Sequence, residues 1–185
     1  MEKYKNILLL YPETPKDTYW SFTHSLRMIG KKASTPPLGL LTVAAMLPRE
    51  HFDLRLVDMN ATDLTPADIE WADIVFVSSM IAHKDSLETV LPLLKAAGKT
   101  VVAGGPYTST AYAETANVDC FFIGEAEAAW DLFLADLHAG ELRPAYGAPV
   151  RDAEVDALRA HFGPQARTVR AGAYPALNQA PPPPL

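Results

Sequence analysis

A chain of 185 residues with a net charge of −6 holds one domain and a little more, and its acidity argues against a nucleic-acid surface. Hydrophobic residues make up 49% of it, enough for a sizeable core, yet no apolar run reaches the roughly 18 residues of a membrane span. Its one cysteine, Cys120, excludes internal disulfides and any multi-cysteine zinc or iron–sulfur site within the chain. The opening MEKYKNILLLYPE has basic residues and a short apolar run but no small-residue cleavage site. It reads as a strand and not a leader, so a cytoplasmic setting is expected.

KNILLLY (5–11) is a continuous apolar run closed by Pro12, the pattern of a strand buried on both faces. PPLGLLTVAAML (36–47) starts with prolines suited to a first helical turn and places Leu38, Leu41 and Ala45 on one face. FDLRLVDMN (52–60) alternates and then ends polar, as an edge or near-edge strand does. ADIVFVSS (72–79) repeats the buried-strand pattern. DSLETVLPLLKAAG (85–98) is a predicted helix with Gly98 as its C-cap. Pro92 within it predicts a kink or a later start. KTVVAGG (99–105) and VDCFFIGE (118–125) supply two more strands. EAEAAWDLFLADLHAG (125–140) then puts Ala126, Trp130, Phe133 and Leu137 at helical spacing, with acids in the first turn.

Strands alternating with helices imply an α/β fold with a parallel sheet and right-handed crossovers. Five units over residues 1–149 predict a flavodoxin-like, Rossmann-like five-stranded sheet of order 2-1-3-4-5, with helices on both faces. Ligands in that architecture sit beyond the carboxyl ends of the strands, where Gly104 and Gly105 fall. Two stretches depart from the simple pattern. Residues 12–35 form a connection far longer than the usual 2–6 residues, and they carry Tyr19, Trp20 and Phe22. These rings either pack on the sheet rim or await something that covers them. Residues 150–185 read as a short helix, DAEVDALRAHFG with Val155, Leu158 and Phe162 on one side, followed by AGAYPALNQAPPPPL. Proline fixes φ and removes donors, so that last stretch is a linker or docking arm, and a second domain beyond it is expected.

Several ligand classes fail on the residues present. YPETPKD follows the first strand, where a dinucleotide site needs G-x-G-x-x-G. An FMN phosphate loop is missing from the same place. Ser78-Ser79-Met80 stands where a phosphoacceptor receiver needs an aspartate. There is no Walker A motif and no nucleophile elbow. What remains on the rim is SSMIAH, GGPYTS and GEAE. Such small, backbone-rich loops suit a large, mostly neutral ligand held by backbone and hydroxyl groups.

The succession TPPLGLLTVAAML, VDMN, DIVFVSSM, KTVVAGGPYTSTAYAE and VDCFFIGEAE resembles the cobalamin-binding N-terminal domain of B12-dependent radical SAM proteins. The likeness runs from about Lys5 to Gly140. Each piece is weak alone; five in order at the right spacing are fairly specific. The resemblance implies a rim that supports the corrin, with the nucleotide tail running toward the sheet. Carried over by motif, it implies cofactor contacts from Tyr11, Pro37, Leu38 and Gly39, from Ser79 and Met80, from Gly104, Gly105, Pro106 and Tyr107, and from Gly124 and Glu125. Chemistry agrees, since a wide flat ring approaches a turn only where Cβ atoms are absent, and Ser78, Ser79 and Thr108 offer hydroxyls. The alternative for the glycines is a tight strand-to-helix turn with no ligand. For Glu125 it is an acid at a helix start, stabilised by the dipole.

The departures from the family narrow the expectation. The D-x-H-x-x-G motif that places a cobalt-coordinating histidine in many cobalamin proteins is absent. Of the five histidines only His24 and His83 fall near the rim, and both read as solvated surface residues. No protein metal ligand is therefore assigned, and the axial cobalt ligands stay open. A C-x-x-x-C-x-x-C triplet is also missing, so an iron–sulfur cluster and SAM enter only through a further, downstream domain. Cys120 sits in an apolar strand and reads as a buried, inert thiol. The chain is thus expected to be a cobalamin-binding module, either the N-terminal part or a free-standing relative of a methyl-transferring radical SAM enzyme. It carries no catalytic constellation of its own, and its expected partners are cobalamin and a radical SAM domain in cis or in trans. The alternative is a protein-interaction module that kept the fold and lost the ligand, docking through its aromatic loop and proline tail. A small enzyme using another nucleotide is argued against by the absent phosphate loops.

Overall fold

The apolar runs do become parallel strands. In the computed structural model, residues 3–16, 21–33, 35–147 and 152–168 are described. β1 (Asn6–Tyr11) is followed by α1 (Thr23–Met28), α2 (Leu38–Met46) and β2 (Asp53–Asp58). Next come α3 (Pro66–Trp71), β3 (Ile74–Ser78), α4 (Lys84–Ala96), β4 (Thr100–Gly104) and α5 (Pro106–Ala111). β5 (Cys120–Ile123), α6 (Trp130–Ala139), β6 (Ala145–Gly147), α7 (Asp152–Phe162) and β7 (Arg167–Thr168) complete the order. Every strand pair is parallel, and the sheet runs β2-β1-β3-β4-β5-β6-β7. The predicted order 2-1-3-4-5 is therefore the first part of a larger sheet, of seven strands and not five among the described residues. β2 is an edge strand, as its alternation suggested.

The two added strands were invisible for a physical reason. Three residues, AYG, and two residues, RT, are too short to carry any periodicity. They are fixed instead from the side. Tyr146, wholly buried in β6, donates its hydroxyl to Asp136 at 2.7 Å and accepts the Arg143 amide at 2.9 Å. Arg167 of β7 approaches the same Asp136 carboxylate at 3.2 Å. Burial, with Asp136 beside it, pushes the Tyr146 hydroxyl far above its ordinary value, so it remains a donor.

Helices cover both faces. One layer packs α2 and α6 on Ile7, Leu9, Phe76, Val102 and Phe122. The other packs α3 and α4 on Leu8, Leu10, Val75, Val77 and Val101, and α7 adds Leu158 and Phe162 over Phe121 and Ala145. The alternation follows from strand geometry, since successive side chains point to opposite faces. α4 starts at Lys84 and runs through Pro92 unbroken, so no late start is needed. Gly98 closes it at φ +71°. The predicted face of α2 needs correction: Leu40, Ala44 and Leu47 are the buried residues, while Leu38 is exposed. LGLLTVAAM is apolar on every side, so its periodicity does not select a face.

Phe22 is exposed, whereas Tyr19, Trp20, the His24 side chain, the predicted 149/150 boundary and the proline-rich tail lie outside the described residues. Among the described residues no helix is long and apolar enough to cross a membrane.

Candidate functional site

Parallel strands all end on the same side, so the connections after β1, β3, β4 and β5 meet on one edge. Between that edge and the helices α2 and α6 lies a cleft of about 680 Å³. Its floor is aromatic and aliphatic: Phe76, Val102, Phe122, Trp130 and Phe133. From the rim it descends along the α2 face that carries Gly39, Thr42 and Val43.

Ten of the twelve residues expected from sequence line this cleft. Tyr11 closes one side at the end of β1; Pro37, Leu38 and Gly39 come from the start of α2. Met80 follows β3, Gly104, Gly105 and Pro106 follow β4, and Gly124 and Glu125 follow β5. Ser79 and Tyr107 lie elsewhere. Ser79 is buried, its amide bound to Gly104 O at 3.0 Å and its carbonyl to the Tyr107 amide at 3.1 Å. Its hydroxyl has no partner. Ser78, one position earlier and on the opposite side of the strand, faces the cleft. Thr108 is likewise buried and turns its hydroxyl to Gly105 O at 3.4 Å.

Ser109 and Thr110 reach the cleft in its place. The signal was present: a helix beginning at Pro106 puts Pro106, Ser109 and Thr110 on one face and turns Tyr107 and Thr108 away. The Ser109 hydroxyl also accepts the Gly124 amide at 3.0 Å, tying the rim after β5 to α5. Glu125 caps a short 3-10 turn without a side-chain hydrogen bond to it.

The glycines divide into two kinds. Gly105 has φ +95° and ψ 171°, a region only glycine occupies readily. A Cβ there would lie 2.7 Å from Ser79 O and 2.9 Å from Ser78 Oγ. The turn itself demands this glycine, and no ligand is needed to explain it. At Gly104 a Cβ would meet Phe122 Cβ at 3.4 Å, and at Gly39 only Ser78 Oγ at 3.8 Å. The protein's own packing therefore admits a Cβ at both, at the close limit of ordinary contact at Gly104 and with room at Gly39.

Behind the rim sits His83, which corrects the expectation of a solvated surface residue. It is fully buried, its Nδ1 accepts the Met80 amide at 3.1 Å, and its ring meets Tyr11 edge-on at 4.6 Å. Burial holds the imidazole below its ordinary pKa, with Asp58 opposing. Burial, then Asp58, raises the Tyr11 hydroxyl. Cys120 is wholly buried, and burial keeps it a thiol. Among the described residues no group of histidine, cysteine or acidic side chains is arranged to hold a metal ion.

An α/β sheet with an open, mostly apolar cleft at its switch point defines a cofactor-binding class. Comparison with known proteins specifies it: the profile of the B12 binding domain matches residues 29–134. The chain belongs to the B12 binding domain family. It is 39% identical over 136 residues to an uncharacterized methyltransferase of Synechocystis sp., covering 72% of this chain and 25% of that protein. It is 33% identical over 141 residues to the hopanoid C-2 methylase of Rhodopseudomonas palustris, covering 76% and 26%. A bacteriochlorophyllide d C-8(2)-methyltransferase of Chlorobaculum tepidum is 31% identical over 110 residues, covering 59% and 24%. The chain thus spans about a quarter of the length of the curated relatives it matches.

The residues present fit the family's cofactor. Gly39 and Gly104 leave bare backbone that the fold does not require to be bare. The apolar groove below them suits an aromatic ring, and Ser78, Ser109 and Thr110 provide hydroxyls along its polar side.

Proposed function

We propose that this chain is the cobalamin-binding module of a B12-dependent radical SAM enzyme that transfers methyl groups. The observation that carries the reading is the cleft, open at the carboxyl edge of the sheet and continuous with an apolar groove between α2 and α6. In this reading Gly39 and Gly104 admit the corrin close to the backbone, and Tyr11, Leu38 and Met80 wall it. Phe76, Phe122 and Trp130 keep water from the groove that takes the nucleotide tail. Ser78 and Ser109 orient polar groups at the ring's edge. Bound cobalamin supplies the methyl-carrying chemistry, and the protein supplies binding and orientation.

Methyl transfer is supported by the names of the three relatives, each a methylase or methyltransferase. The radical SAM part is supported by the pattern of motifs and by relatives about four times longer than the matched region. A cluster-binding domain, in cis beyond the proline-rich stretch or in trans, would hold the iron–sulfur cluster and SAM. Exposed Met28, Ile29, Leu38 and Ile81 on the carboxyl-edge connections offer such a domain apolar surface.

Purified protein mixed with hydroxocobalamin and passed through gel filtration is expected to elute with corrin absorbance at one equivalent. A colourless protein peak overturns the cobalamin reading. The radical SAM part fails if neither the same gene nor its neighbours encode a C-x-x-x-C-x-x-C triplet.

A further inference from the structure

We propose that His83 is a positioning residue for the cleft: its neutral imidazole fixes the Met80 backbone and backs the Tyr11 ring, so ligand binding weakens when His83 takes up a proton. The binding half of this inference rests on the cobalamin reading; the positioning half does not.

Two wall residues depend on one buried ring. Met80 and Tyr11 line the cleft, and His83 does not. Met80 is held twice by His83, its amide donating to Nδ1 at 3.1 Å and its carbonyl accepting the His83 amide at 2.9 Å. Tyr11 leans on the same ring at an interplanar angle of 77°. An imidazole nitrogen that accepts a hydrogen bond carries no proton, so the proton sits on Nε2. Nε2 is buried and has no partner. The arrangement therefore holds for one protonation state only.

Adding a proton places N–H on both nitrogens. Nδ1 and the Met80 amide then face each other as two donors, and a buried amide is left without an acceptor, which is unfavourable. The groups that act on His83 from neighbouring strands are Tyr11 of β1 and Asp58 at the end of β2. The Asp58 carboxylate favours the cation, but it already accepts the Asn60 amide and side-chain nitrogen, both at 2.9 Å. Burial outweighs it, and the folded-state value lies below the ordinary 6.5. The unfolded chain takes up this proton first as pH falls. Stability from His83 is full above about pH 6.5 and is lost as pH drops from there through the folded-state value. The same tautomer argues against His83 as an axial cobalt ligand. Ligation through Nε2 would move the proton to Nδ1 and break the bond to Met80.

The test uses the full chain, first without ligand. Amide NMR between about pH 7.5 and about pH 5 should show the Met80 resonance titrating with a midpoint below 6.5. In His83→Gln, whose side-chain oxygen still accepts the Met80 amide but does not titrate, that transition should vanish. Hydroxocobalamin affinity should fall roughly fivefold or more over the same interval in the wild type, the factor one lost buried hydrogen bond implies, and stay level in His83→Gln. His83→Leu should be weakened by about that factor at every pH. A Met80 amide indifferent to pH, or parallel loss of affinity in wild type and His83→Gln, overturns the inference. Protein that binds no corrin yet shows the Met80 titration supports the positioning role and counts against the cobalamin reading alone.

Discussion

The two edges of the sheet are built by opposite means. At the amino edge, side chains stitch strand to strand. Asp73, immediately before β3, accepts the amides of Lys5 and Asn6 at 2.9 and 2.8 Å on one oxygen. Asp119, immediately before β5, accepts the Val101 amide at 2.8 Å and pairs with Lys95. Lys99 donates to Ala72 O at 2.7 Å. At the carboxyl edge side-chain ties gather away from the cleft, where Asn60 holds the segment after β1, whereas beside the cleft the ends of β3 and β4 are linked by backbone bonds, Ser79 to Gly104 and Tyr107 to Ser79. The difference separates two demands. One edge is free to be tied down because nothing has to enter there. The other must hold its shape while leaving bare backbone for a ligand.

The largest effect is expected where the bare edge has no tolerance. Gly105→Ala adds a Cβ within 3 Å of Ser79 and Ser78 at φ +95°. Strain and clash together should cost about 3 kcal/mol, read as a lower midpoint in urea. Corrin binding should fall with it, since Gly105 and Met80 belong to one laced turn. A midpoint within error of wild type would show that the rim is softer than its backbone bonds imply.

This position also shows how far sequence reasoning reaches. "GGP" after an apolar run located the rim, yet it left the two glycines with one shared pair of readings, space for a ligand or a tight turn with none. Backbone dihedrals, which no residue pattern displays, assign Gly105 to the turn and leave Gly104 and Gly39 as the positions that the fold does not explain. The buried strands were legible as unbroken apolar runs of four to six residues, and α4 as a helical period over 13 residues. β6 and β7 were not, because their stability comes from a Tyr146–Asp136–Arg167 cluster assembled from three elements. His83 was misplaced for a similar reason. A histidine three residues after "SSM" looks like loop, and only the path of the chain reveals that Tyr11 covers it.

A middle-sized effect tests the stitched edge by itself. Asp73→Ala removes an acceptor shared by two amides, though at an exposed site, so a loss of about 1 kcal/mol is expected. Cobalamin affinity in native conditions should not change, because the lesion lies at the far end of β3. Asp73→Asn, which keeps an acceptor, should recover much of the loss. Altered affinity in Asp73→Ala, with the fold intact, would mean that the two edges are mechanically coupled and that the separation drawn between them is wrong.

The smallest stability change should also have the opposite sign. Gly39 lies in the first turn of α2, and a Cβ there meets nothing closer than Ser78 Oγ at 3.8 Å. Replacing a helical glycine by alanine removes backbone freedom from the unfolded chain and should stabilise by a few tenths of a kcal/mol, up to about 1. The same methyl projects toward the space where the corrin is proposed to rest, so affinity should drop as stability rises. Gly39→Val should deepen the loss of affinity without adding stability, since a β-branched residue gives back helix propensity. The pair of measurements is decisive because a purely structural glycine cannot produce it: packing would make both variants worse at folding, whereas a ligand seat makes one variant fold better and bind worse.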